Sequence, residues 1–252
     1  GTKGYGKTSF FRTAPQWTLD TMESFNDAAI STLNSSDIIY AGAQDSKSGE
    51  GYLTLNGNDI LYHGIRTDIA ASALVNNDFK SNKNLIFGGA GGTIQLTEKN
   101  LNLGAGSITF NSDYILSDGG DNNRRLNSAG YIINAGAVVT SLLTGGVGDI
   151  WRKIGDGTLI IAGNGNNQAG LNVGDGLTIL QRVGGSALKT LHIGSGRAIV
   201  RLGAADQLVG TQVGFGTRGG ILDLYGQSLS WNDIIHMDNG ATIAATKSGA
   251  QS

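Results

Sequence analysis

A four-residue pattern, apolar-Gly-x-Gly, returns along this chain at nearly constant distance. It reads Ile154-Gly155-Asp156-Gly157, Val173-Gly174-Asp175-Gly176, Ile193-Gly194-Ser195-Gly196 and Val213-Gly214-Phe215-Gly216. The first glycines stand at 155, 174, 194 and 214, so the spacings are 19, 20 and 20. A run rich in leucine and β-branched residues follows the first three at once. In the fourth copy the run Ile221-Leu222-Asp223-Leu224 comes after a short insertion. Looser copies lie upstream at Gly89–Leu96 and Gly104–Phe110.

Short strands divided by glycine turns and recurring every 20 residues describe a coil. Each strand is too short to bury a face alone, so every turn of the coil must stack on the one before it. The expected fold is all-β: a right-handed parallel β-helix, a solenoid of about 20 residues per coil. Eight to ten such coils make a rod. The alignment puts Ile160 and Ile179 at the inward middle of their rungs. An α/β fold is excluded because no segment between strands has the length or the 3.6-residue period of a crossover helix. A β-sandwich is the competing fold. It needs hairpin turns, and Asn-Gly pairs occur at Asn56-Gly57 and Asn239-Gly240 but not between most strands.

Composition supports the coil. Glycine is 41 of 252 residues with a single proline, against a usual glycine share of about 7%. Collagen needs a strict three-residue period and abundant proline. Disorder needs few aliphatics and high net charge, whereas 39% of this chain is hydrophobic and its net charge is −2. The remaining use for so much glycine is tight turns with positive φ. The near-neutral charge argues against nucleic acid as a partner. There is no cysteine, so disulfides and thiolate metal sites are excluded. No apolar run reaches the roughly 18 residues of a membrane span, and no signal peptide opens the chain. The first residue, Gly1, is read as the start of an excised segment.

Residues 1–40 differ from the rest and are read as a lead-in or junction, with 41–252 as the stem. The first part holds Pro15, Phe10, Phe11, Trp17 and a stretch Asp20–Leu33 with Met22, Phe25 and Ala29 on one helical face. Gly1–Thr8 matches the phosphate-loop pattern letter for letter, but no strand precedes it and Ser9–Pro15 makes a poor helix. His63, His192 and His236 lie far apart, and none has a histidine or carboxylate four residues on, so no zinc site is expected. Asp156 and Asp175 sit between glycines. A calcium roll needs aspartates in tandem nonapeptides, so these two read as turn residues. No nucleophile elbow is present. No catalytic, cofactor-binding or metal-binding residue is assigned, and no cofactor is expected. Phe110, Trp151, Phe215 and Trp231 adjoin strand runs and are expected inside or capping the coil.

Several segments then carry a family resemblance. Arg197–Leu208, with its Ala-Ala-Asp-Gln, and Phe215–Leu229, reading Phe-Gly-Thr-Arg-Gly-Gly-Ile-Leu-Asp-Leu-Tyr-Gly, resemble the serine protease autotransporters of enterobacteria and the immunoglobulin A proteases. Lys153–Ile160, Gly170–Leu180 and Gly104–Phe110 resemble stem rungs of that family. The likeness covers roughly residues 85–245. It implies a β-helical stalk, part of a passenger exported through the periplasm and outer membrane of a Gram-negative bacterium and associated with virulence. It implies two partners on the same polypeptide, an N-terminal chymotrypsin-like protease domain and a C-terminal translocator barrel. The family's Gly-Asp-Ser-Gly nucleophile motif does not occur in this chain, so the chain itself is expected not to be an enzyme. The other readings are an adhesive surface binding host proteins or glycans, self-association, or a stand-alone polysaccharide-acting β-helix.

Overall fold

The computed structural model describes residues 101–229 continuously, together with 38–41, 52–55, 59–62, 73–74, 84–87, 91–96, 234–236 and 240–247. The phosphate-loop match, the Asp20–Leu33 stretch, His63 and Trp231 lie outside the described residues.

The described strands run in chain order as follows. The first are β1 (Ile38–Ala41), β2 (Tyr52–Leu55), β3 (Asp59–Tyr62), β4 (Ala73–Leu74), β5 (Asn84–Phe87), β6 (Gly92–Leu96) and β7 (Leu101–Asn102). Then come β8 (Ser107–Phe110), β9 (Tyr114–Ser117), β10 (Leu126–Asn127), β11 (Gly130–Ile133), β12 (Val138–Ser141), β13 (Ile150–Ile154) and β14 (Thr158–Ile161). The last are β15 (Gly170–Val173), β16 (Gly176–Leu180), β17 (Thr190–Ile193), β18 (Ala198–Leu202), β19 (Gln212–Phe215), β20 (Gly220–Asp223), β21 (Ile234–His236) and β22 (Ala241–Ala244). No helix occurs among the described residues.

These strands form the right-handed parallel β-helix that the repeat predicts. From β8 on, each coil gives one strand to each of two ten-stranded sheets. One sheet runs β8-β11-β13-β15-β17-β19-β21 and the other β9-β12-β14-β16-β18-β20-β22, all parallel. Six coils, from β8/β9 to β19/β20, are described down to their side chains. Residues in register lie 19 to 25 positions apart, as at Ile161↔Leu180 and Ile115↔Thr140. A short pair, β7–β10, begins a third wall. The one antiparallel pair among the described strands is β2–β3, and it flanks Asn56-Gly57. Asn239-Gly240 makes no hairpin, since β21 and β22 belong to different sheets.

Alternation fills the coil. On one sheet the inward residues are Ile108 and Phe110, then Tyr131 and Ile133, Trp151 and Lys153, Leu171 and Val173, Leu191 and Ile193, and Val213 and Phe215. The facing sheet turns in Leu116, Val139, Leu159, Ile161, Leu180, Val200, Leu202 and Leu222. Phe110, Trp151 and Phe215 are thus inside, as expected.

Two details of the alignment are corrected. Ile160 and Ile179 face outward; the buried residues beside them are Leu159 and Ile161, and Thr178 and Leu180. A one-residue slip in a period-two element turns every side chain to the opposite face. The glycine tetrads are also not all in register. Gly174 and Gly194 stack as aligned, but Gly174 follows Ile154 in the ladder, and Gly194 precedes Gly216 rather than Gly214. Lys153, not Ile154, takes the inward place.

Candidate functional site

Among the described residues, Asp156, Asp175 and His192 lie on separate turns and strands. Asp156 is exposed on its turn. Asp175 pairs with Arg197 at 2.8 Å, and its backbone carbonyl, not its carboxylate, reaches the interior. His192 is exposed on the outer side of β17, and β21 carries His236. Among the described residues no three histidine, cysteine or carboxylate side chains gather as a metal cluster would.

The buried polar chemistry lies elsewhere, in residues the sequence reading passed over. Lys153 is fully buried, and its ammonium donates to the carbonyls of Gly155 (2.6 Å), Gly157 (2.7 Å) and Asp175 (2.6 Å). Burial lowers its pKa from 10.5 to about 8, opposed by the pull of Asp175 and Asp156. Gly176 makes the room: its φ is +67°, and a Cβ there would collide with the ammonium and two of its acceptors. The Gly-Asp-Gly turn therefore serves a buried cation rather than a metal. Alternation from Trp151 was the available signal, since it sets Lys153 on the inward side.

Arg182 lies in a turn just past β16 and is 2% exposed. Its Nε donates to Gly165 O, Nη1 to Leu143 O and Ala162 O, and Nη2 to Thr144 Oγ1 and Asn164 O, at 2.5 to 3.0 Å. Burial lowers its pKa, opposed by Asp118, and a guanidinium stays charged regardless. Gln207 clasps the backbone of Arg182 from the next coil, accepting from its N–H and donating to its carbonyl.

Asp223, 1% exposed, accepts from Arg201 Nε, from the N–H groups of Tyr225 and Thr246, and from Thr246 Oγ1. Burial alone would raise its pKa; the bonds from Thr246, Arg201 and Tyr225 outweigh that and lower it. Tyr225 holds a positive φ of 47° and lies under the Arg201 guanidinium, 4.4 Å from ring centroid to Cζ. All three charged groups are thus spent on joining one coil to another. Their partners are main-chain groups and the side chains of Thr144, Arg201 and Thr246.

No family model matches the chain. It is 33% identical over 204 residues, 79% of its length, to the serine protease SepA autotransporter of Shigella flexneri. It is 37% identical over 166 residues, 64% of its length, to the adhesion and penetration protein autotransporter of Haemophilus influenzae. It is 35% identical over 189 residues, 71% of its length, to the IgA-specific serine endopeptidase autotransporter of Neisseria gonorrhoeae. The chain spans only 14%, 12% and 12% of those proteins.

Proposed function

This chain belongs to the serine protease autotransporters as a stretch of their β-helical passenger, and from that premise we propose that it is a stalk. It carries a catalytic domain of the same polypeptide and takes no chemical part in the reaction. Residues 41–252 form the stalk and 1–40 the junction. A chymotrypsin-like protease domain lies on the N-terminal side and a translocator barrel on the C-terminal side. The protein works at the surface of a Gram-negative bacterium or in its medium, reached through the outer membrane. One observation carries the reading: the buried charges of Lys153, Arg182 and Asp223 are each held by bonds within the stack.

Removing whole coils from the full parent protein tests it. Residues 150–189 begin and end at register-equivalent places, since Ile150 pairs Gly170 and Gly170 pairs Thr190. Their excision should leave cleavage of a small peptide unchanged while lowering the amount of passenger delivered outside the cell. Loss of peptide cleavage by the excised form, or inhibitor-sensitive cleavage by this chain alone, would overturn the proposal.

A second reading, an adhesive face, is favoured by the outer side of the second sheet. There Val138, Thr158, Leu177, Ile199 and Ile221 form one register column, all half-buried, with Ile160 and Ile179 beside it. Leu177→Lys with Ile199→Lys should then reduce attachment to glycan- or matrix-coated surfaces at unchanged melting temperature. Unchanged attachment would remove this reading.

A further inference from the structure

We propose that Arg201, Tyr225 and Lys247 form a binding site for an oxyanion, a sulfate or phosphate group, on the outer face of the second sheet. That face is mostly apolar: outward residues of β14, β16 and β18 include Ile160, Leu177, Ile179 and Ile199. Among the described residues of β12 to β20, the charged ones turned outward on it are Arg201 and Asp223. Asp223 offers nothing further, since it is 1% exposed and already accepts four bonds. Arg201 spends only its Nε there. Its two Nη groups have no hydrogen-bond partner among the described residues, and 28% of its side chain is exposed. Its Cζ lies over the Tyr225 ring, 4.4 Å from the centroid. Lys247 brings a second cation to that ring, with Nζ 5.7 Å from the centroid and no carboxylate paired to it among the described residues. One positive charge is thus left unmatched at the ring.

The backbone of Tyr225 points to the same place. Tyr225 and Gly226 hold φ of 47° and 78°, and Gln227 N–H donates to Leu224 O at 2.8 Å. A turn with positive φ at both central positions favours Asn-Gly, and a bulky residue at the first of them is an outlier. Tyrosine therefore sits here against its backbone preference, and what it contributes is a ring that keeps two cations together. Strained residues of this kind gather where a ligand is held. The paired N–H groups of a guanidinium match two oxygens of a sulfate or phosphate, and an ammonium adds a point charge. Ile179 is the register partner of Arg201, and half-buried Ile199 and Ile221 lie on the same face. Apolar neighbours lower the local dielectric and strengthen such an attraction.

Inorganic sulfate and inorganic phosphate are titrated into the 252-residue chain at an ionic strength held constant with chloride, and the side-chain NMR signals of Arg201 and Lys247 are followed. The two signals should move together along one saturating curve. Lys247→Gln should weaken binding roughly fivefold. Tyr225→Asn supplies the residue the turn prefers and should weaken binding as much while the chain stays folded. Arg201 is left in place because it also holds Asp223. Lys189→Gln, at an exposed lysine beside β17, should change nothing. A heparin-derived sulfated disaccharide and its desulfated counterpart separate the sources of the anion. Tighter binding of the sulfated sugar than of inorganic sulfate puts the group on a glycan, equal binding makes the free ion the ligand, and either supports the site. The site is refuted if neither anion moves the two signals, or if Lys247→Gln or a folded Tyr225→Asn binds as the wild type does. It is equally refuted if Lys189→Gln weakens binding as much as Lys247→Gln.

Discussion

The start and the middle of the described core are filled by different means. Near its start the coil is packed with rings. Phe87 stacks on Phe110 with centroids 5.5 Å apart, Tyr114 meets both at 5.3 and 5.8 Å, and Tyr131 continues from Phe110 at 6.4 Å. From β14 to β18 the inward residues are Leu159, Ile161, Leu171, Val173, Thr178, Leu180, Leu191, Ile193, Ala198, Val200 and Leu202, with no aromatic among them. The buried polar and charged side chains in and beside these coils include Lys153, Asn167, Arg182 and Gln207. A coil of near-constant width must be filled at every rung, because voids forfeit dispersion contacts. Rings span the width by themselves. Aliphatics leave space at the turns, where glycine-rich backbone turns its carbonyls inward, and a long cationic side chain fills that space while satisfying them. The start is therefore held by apolar area, which tolerates repacking, and the middle by directed bonds, which do not tolerate loss.

The sharpest way to break this contrast is at Arg182. Arg182→Ala removes the donors to the carbonyls of Leu143, Ala162, Asn164 and Gly165. The expected loss is about 4 kcal/mol of unfolding free energy, read from urea midpoints. Arg182→Lys should recover little of it, since one ammonium cannot reproduce the planar fork. A loss under about 1 kcal/mol from Arg182→Ala would mean that water replaces the guanidinium and that start and middle alike are held by apolar area alone.

At the aromatic end Phe110→Ala should cost about 3 kcal/mol and Phe110→Leu about 1 kcal/mol, because neighbouring rings can close on a leucine. Calorimetric melts of the two variants decide this. Equal losses would show that the aromatic end is as intolerant as the bonded one.

Much of this architecture was legible because it is local. The 20-residue recurrence and the positive-φ turns at Gly155 and Gly176 are written in adjacent residues. The facing of β14 was not, for Leu159-Ile160-Ile161-Ala162 is apolar without alternation and a period of two cannot be read from it. Arg182 and Lys153 escaped notice for another reason. Their partners are main-chain carbonyls as many as 39 residues away, and carbonyls leave no mark in a sequence.

Asp223 extends the bonded style of construction to the last coils. Asp223→Ala removes the acceptor of four bonds that reach Arg201, Tyr225 and Thr246. About 2 kcal/mol should be lost, with hydrogen exchange rising first at β22. Protection unchanged at Ala241–Ala244 would show that stacking alone secures this strand.

The finest test asks whether Lys153 is a fixed tie like Arg182 or one that titrates. Its folded pKa is about 8 against 10.5. Between those values the unfolded chain holds this proton more tightly than the folded one. Raising the pH therefore favours the folded state. The group contributes least below pH 8, where it is charged in both states, and its contribution grows from pH 8 to 10.5 by at most ~1.4 kcal/mol per pH unit. Lys153→Met fills the same corner without a titrating group, so the wild type minus Met difference isolates the effect. That difference, from urea unfolding at pH 7, 9 and 10, should move steadily in favour of the wild type as pH rises. If it stays flat, the three carbonyls of Gly155, Gly157 and Asp175 hold the proton firmly enough to offset burial, and Lys153 joins Arg182 as a permanent cation. If it falls, the charged form is the stabilising one, and the bonded middle of the stalk is weakened by alkali while the aromatic end is not.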